Sequence, residues 1–173
     1  MCRQLPRSYA RRSALAVSVA LLAGTFISSA WAGEKGKWRA HAAVAAVSSK
    51  TVNIADQKDH YVYLGEWDGV VFTDGGGTFL HNARYQFVDM IDSAGAVINS
   101  GDGGYKTFTA TDGSVVYARY WSTEATPPVF KGKFEFIGGT GKYKGIKGEG
   151  TYIYHSVSDT SAWDTLEGSY ELP

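Results

Sequence analysis

Three charged residues interrupt apolar stretches of this chain: Glu66 between Gly65 and Trp67, Asp89 between Val88 and Met90, and Arg119 between Ala118 and Tyr120. A charge turned into an apolar interior is costly unless it is paired. Glu66 or Asp89 with Arg119 would supply such a pair, and a polar pair in an apolar cavity is where a small ligand becomes oriented. The expected ligand-binding set is therefore Glu66 and Arg119 together with Tyr120, Trp67 and Tyr63. Adjacent residues of a regular strand face opposite ways, so these five share a cavity only if Gly65 introduces a bulge. The competing expectation leaves the charges on the solvent face, where charged residues usually lie.

Other chemistries find less support. The run from Gly138 to Gly150 is rich in glycine and lysine, but Phe136 stands where a phosphate loop needs its first glycine, and Tyr143 follows Lys142 in place of Ser or Thr. The run also enters a strand pattern and no helix whose N-terminus could hold an anion. A tight corner between strands, using glycine's access to positive φ, accounts for it. His41, His60, His81 and His155 show no metal-ligand spacing. Asp74-Gly75 and Asp102-Gly103 fit turns and not a calcium loop. There is no G-x-S-x-G, and the one cysteine, Cys2, lies near the N-terminus. No catalytic residue is assigned, and neither a metal nor a cofactor is expected.

The first 32 residues read as an export signal. Four arginines within residues 1–12 precede an apolar run over 13–29, and Ala30-Trp31-Ala32 offers an A-x-A cleavage site before Gly33. The run of 17 residues is at the lower limit for a membrane span, and no cysteine follows it for a lipid anchor. The expected division is a signal peptide at 1–32 and a single domain at 33–173, with a periplasmic or extracellular destination and no stable membrane anchor after cleavage. Without residues 1–32, Lys+Arg falls from 17 to 13 against 17 acids, a net charge of −4. Such a body lacks the basic footprint that nucleic-acid binding requires. Aromatic content of 14% with 20% charge also excludes disorder.

The elements that would carry these side chains read as strands. After residue 32 there are only four leucines, while Tyr, Phe, Val and Thr abound. Turn signals recur at Asp74–Gly77, Ser93–Gly95, Gly101–Gly104, Asp112-Gly113 and Gly138–Gly141. Strands are predicted over 38–48, from His60 through Phe72, over Arg84–Met90, Tyr105–Ala110, Ser114–Trp121, Phe130–Ile137, Glu149–Ser156 and Glu167–Leu172. Asp112-Gly113 closes a hairpin. Phe130, Gly132, Phe134 and Phe136 share one face. Gly65 and Gly69 suggest bulges or a bend in the second strand. Roughly eight strands in so short a domain favour an all-β closed antiparallel barrel, because closure removes sheet edges. A sandwich is the alternative.

One segment carries a resemblance. Phe134-Glu135-Phe136-Ile137-Gly138-Gly139-Thr140-Gly141, then Lys142-Tyr143-Lys144-Gly145 and Gly148-Glu149-Gly150-Thr151, resembles the signature of the allene oxide cyclase and dirigent superfamily. The resemblance covers about 20 residues clearly. It implies a calycin-like eight-stranded barrel with an apolar cavity, often assembled as a homotrimer, in a bacterial secreted relative. Tyr143 matches the aromatic position of the pattern, where the residue is structural. The cyclases' conserved cysteine has no counterpart after residue 32.

Three readings of function follow. The first is an exported barrel that binds or orients a small apolar or aromatic molecule. The second is a cyclase or isomerase acting on an oxidised lipid or phenolic intermediate through positioning and one acid/base group. The third is a structural or interaction protein with a filled barrel. An interior packed by Phe and Tyr favours the third, a wholly apolar open cavity the first, and an open cavity with one charged group of shifted pKa the second.

Overall fold

Alternating apolar residues build nine strands among the described residues. A computed structural model describes residues 33–94, 97–98 and 103–173; residues 1–32, on which the expected export signal falls, and most of the turn expected around Gly101-Asp102 lie outside them. The strands are β1 (Lys35–Asn53), β2 (His60–Thr73), β3 (Arg84–Ala94), β4 (Val97–Ile98), β5 (Gly103–Thr109), β6 (Val115–Thr126), β7 (Val129–Gly139), β8 (Lys147–Ser158) and β9 (Ser161–Glu171). Single 3-10 turns at Asp74–Gly76 and Gly141–Tyr143 are the helical elements there.

Every pairing is antiparallel. The order β2-β1-β9-β8-β7-β6-β5-β3 is closed by β2 on β3, giving an eight-stranded barrel, and the short β4 pairs with the end of β3. Closure leaves no long edge open to another chain. The alanine-rich stretch at 38–48 is strand, as expected, and lies within the 19-residue β1. Alanine suits it because the barrel interior there is narrow: Ala40 and Ala42 are fully buried beside Leu166 and Asp164 of β9.

The expected irregularity in β2 falls elsewhere. The register shift between β1 and β2 lies between Ala46 and Ser48 on β1, opposite Trp67 and Glu66. Gly65 instead makes room inside the barrel, since a Cβ there would lie 2.6 Å from the Tyr63 ring. The same large-over-small device recurs across β7 and β8, where Gly132 opposes Tyr152 and Gly150 opposes Phe134.

One end of the barrel is solid. Trp38 meets Phe79, Phe108 and Phe134 edge-on, with centroids 5.5, 5.7 and 6.2 Å away. The segment between β2 and β3 folds across this end, inserting Phe79 and Leu80 into the core. Phe79 stacks on Tyr170 at 3.8 Å, and Thr73 Oγ1 donates to the Phe79 carbonyl at 2.7 Å. Gly141–Tyr143 closes the same end: Tyr143 and Ile146 are buried there, and Phe79 meets Tyr143 edge-on. The glycine corner at 138–141 is thus structural, as its sequence suggested, with Gly141 at φ 57°.

Candidate functional site

The opposite end of the barrel is open and encloses a cavity of about 430 Å³. Alternation fixes its lining. On β2 the inward positions are Tyr61, Tyr63 and Trp67; on β3, Phe87 and Asp89; on β6, Tyr120 and Ser122; on β8, Tyr152 and Tyr154. Lys106 of β5 forms part of the floor, and Ser49, Ser158 and Asp159 belong to the rim. Trp67 stacks nearly parallel on Phe87 at 5.8 Å, and Tyr154 meets both edge-on. Tyr120 and Tyr152 meet edge to face at 5.6 Å. These are the offset and edge-on geometries that ring quadrupoles favour.

The floor is a buried ionic cluster. Lys106 Nζ lies 3.1 Å from Asp164 Oδ2, with side-chain exposures of 2% and 0%. Tyr85 donates its hydroxyl proton to the same carboxylate oxygen at 2.6 Å, and Lys106 also donates to the Tyr85 oxygen. Four rings surround the ammonium, with Tyr152 and Tyr120 centroids at 4.5 and 4.6 Å and Tyr85 and Phe87 at 5.0 Å. Asp164 Oδ1 is buried without a hydrogen-bond partner among the described residues. Burial, then the Asp164 charge, pushes the Tyr85 phenol well above its ordinary range.

Asp89 faces the cavity above this floor and accepts a hydrogen bond from Tyr120. Tyr120 also reaches the Val88 carbonyl at 3.1 Å. Burial pushes the Asp89 carboxyl up to about 6, against the downward pull of the Tyr120 hydrogen bond and the Lys106 charge. Trp67 Nε1–H is close enough to assist that downward pull, yet among the described residues it forms no well-aligned hydrogen bond. Burial also raises the phenols of Tyr120, Tyr152 and Tyr154. A carboxyl poised near neutrality in an aromatic pocket can hold or release a proton at working pH.

The structure divides the sequence-derived set. Tyr63, Trp67 and Tyr120 come together around the cavity. Glu66 and Arg119 do not join them. Without a bulge on β2, Glu66 alternates to the outer face, where Ser48 Oγ donates to it at 3.1 Å. Arg119 likewise points out and pairs across β6 and β7 with Glu135 at 2.8 Å, its side chain 56% exposed. Asp89 is the one of the three interrupting charges that turns inward. Lys106 and Asp164 went unnoticed, although a signal exists: each shares its parity with apolar residues two positions away, Phe108 for Lys106, and Ala162 and Leu166 for Asp164.

The histidines lie apart from the cavity lining. His41 contacts Asp74 at 2.9 Å, His60 bridges Asp56 and Asp92, His81 accepts from the Thr73 backbone N–H, and His155 stacks on Trp163. Among the described residues no group of three or more His, Cys, Asp or Glu gathers as metal ligands. A shallow outer depression of about 670 Å³ runs beside β1, β7, β8 and β9. Its lysines Lys35, Lys37 and Lys147 are matched by Glu135, Glu149 and Glu171, so it presents no converging chemistry.

No protein-family model and no curated protein matches the sequence. Among solved structures, a pterocarpan synthase dirigent protein superposes with a TM-score of 0.51 and 14% identity, over 81% of this chain and 87% of the other. A conserved protein of unknown function from Rhodopseudomonas palustris gives a TM-score of 0.48 and 13% identity, over 79% of this chain and 97% of the other. At such identities the likeness concerns architecture. Strand order, closure and this superposition together give the chain a dirigent-like β-barrel fold.

Proposed function

We propose that this protein binds one small aromatic molecule in the open end of the barrel and holds it in a fixed orientation. The observation that carries the reading is the cavity itself: 430 Å³, walled by aromatic rings, with Asp89 and Tyr120 converging as its oriented polar pair. Many apolar faces with few placed polar groups is the composition of a small-molecule site. The test is calorimetric titration with a panel of small phenols, neutral and charged. Saturable binding of at least one at one per chain is expected, and Ser122→Phe, which fills the cavity beside Tyr152, should abolish it. Absence of saturable binding across the panel, or binding indifferent to Ser122→Phe, refutes the reading.

A second reading is favoured by the raised carboxyl of Asp89. A group at about 6 can give a proton to a bound ligand and recover it, which is the single acid/base function a cyclase or isomerase needs. Binding without turnover and binding with turnover share one site, and Asp89→Asn separates them by leaving the cavity's shape intact.

Export and assembly belong to the same proposal. The arginine-rich start, apolar run and A-x-A pattern of residues 1–32 support delivery to the periplasm or beyond. Self-association is supported by the outer face of the sheet, where Leu64 opposes Met90 and Val88 opposes Tyr105, all four exposed. Sedimentation equilibrium would report a homo-oligomer, and a monomer at micromolar concentration would contradict it.

A further inference from the structure

We propose that the molecule held in the cavity is a cation, carrying an amine or quaternary ammonium group on an aromatic body. This rests on the reading that the cavity takes one small aromatic ligand, and it adds the ligand's charge.

The charged side chains lining the cavity are Lys106, Asp89 and Asp159. Lys106 is already spent. Its ammonium is bonded to Asp164 and Tyr85 beneath the cavity, and Asp164 balances its charge one to one. Asp89 has no such partner. It accepts from the neutral Tyr120 hydroxyl, has the neutral Trp67 indole nearby, and forms no ion pair with a Lys, Arg or His among the described residues. Asp159, exposed at the rim, adds a second carboxylate at the mouth. With Asp89 ionised, the cavity therefore holds an unmatched negative charge and, among the described residues, no free positive one.

The tyrosines register the same field. Desolvation, then the Asp89 charge, raises the Tyr63 phenol, and Asp159 adds to it. After burial, Asp89 and then Asp164 raise Tyr154. The rings themselves favour a cation, because an aromatic face presents the negative lobe of its quadrupole. The floor already demonstrates this: Tyr120 and Tyr152, which both line the cavity, hold the Lys106 ammonium at 4.6 and 4.5 Å from their centroids. A ligand ammonium in the space above would meet Tyr63, Trp67 and Tyr154 together with Asp89. A ligand carboxylate would meet Asp89 and Asp159 instead, with no cation free to receive it.

The test compares three probes that share a phenol ring and differ in the end group: tyramine, 4-propylphenol and 3-(4-hydroxyphenyl)propionate. Calorimetry on the purified protein at neutral pH should give tyramine an advantage of about tenfold or more over 4-propylphenol, the scale of one desolvated cation–π contact combined with one charge-assisted hydrogen bond. The propionate should bind weakest. The tyramine advantage should grow as pH rises through about 6, where Asp89 ionises. Asp89→Asn should erase that advantage, so that on the variant tyramine binds no more tightly than 4-propylphenol. If 4-propylphenol or the propionate matches or exceeds tyramine on the wild-type protein, the cation proposal fails and the aromatic cavity stands. If none of the three binds, the aromatic-ligand reading fails and the proposal falls with it. The wild-type ranking decides the matter even if Asp89→Asn does not fold.

Discussion

Removing the carboxylate of Asp164 should be among the most damaging single changes in this barrel. Asp164 and Lys106 are buried almost completely, at 0% and 2% side-chain exposure, and lie 3.1 Å apart. Asp164→Asn keeps the shape but strips the charge that balances Lys106, leaving an uncompensated ammonium among four rings. Breaking one side of such a pair costs about 3–5 kcal/mol. For a domain of this size the loss corresponds to a fall in Tm of roughly 10 °C or more. The cluster is not itself a source of large stability, because desolvating both ions offsets most of their attraction. Asp164 Oδ1 is also left without a hydrogen bond among the described residues. The triple variant Tyr85→Phe/Lys106→Met/Asp164→Leu, which replaces the cluster with apolar side chains, should therefore recover most of the loss and fall within about 1–2 kcal/mol of wild type. Urea unfolding followed by tryptophan fluorescence reads both values. A loss below about 1 kcal/mol for Asp164→Asn would refute the claim that Lys106 depends on it. A triple variant no better than the single one would refute the claim that the cluster is replaceable.

Asp89 has a folded pKa raised from 3.8 to about 6, so its contribution to stability is fully present below about pH 4 and is lost as pH rises through about 6. A rise of this size sets an upper scale of about 3 kcal/mol, and Asp89→Asn should flatten that part of the stability–pH curve measured by urea unfolding. Asp112 has the opposite sign: the Ser114 backbone N–H and Lys142 lower its carboxyl to about 2. Its contribution is present above about pH 4 and disappears as pH falls through about 2, and Asp112→Asn should remove this acid-side slope. Gly132→Ala would place a Cβ 2.2 Å from the Trp121 carbonyl oxygen and 2.4 Å from the Tyr152 ring. Thermal melting should show it less stable by about 1–3 kcal/mol, the usual cost of overpacking.

Much of the architecture was readable because alternation and turn chemistry are local. Phe134 and Phe136 are buried on the face expected of them, and Asp112-Gly113 does close the β5–β6 hairpin, with Gly113 at φ 82°. The site was harder to read. Glu66, Asp89 and Arg119 drew attention because their immediate neighbours are apolar, but immediate neighbours lie on the opposite face of the sheet. The informative neighbours are two positions away: Lys106 shares its face with Phe108, and Asp164 shares its face with Ala162 and Leu166. Their pairing could not be read at all, since β5 and β9 are not adjacent in the sheet and meet only across the barrel interior. The Phe79–Leu80 plug was hidden for a related reason. A glycine turn at 74–77 gives no indication that the following residues fold under the barrel.

The most direct measurement is the titration of the Asp89 carboxyl carbon by ¹³C NMR, in the free protein and with a saturating aromatic ligand. A dry aromatic cavity around Asp89 predicts a midpoint near 6 in the free protein that moves when the cavity fills, downward for a cation. A midpoint in the ordinary aspartate range, unmoved by ligand, would contradict a ligand cavity built around this residue.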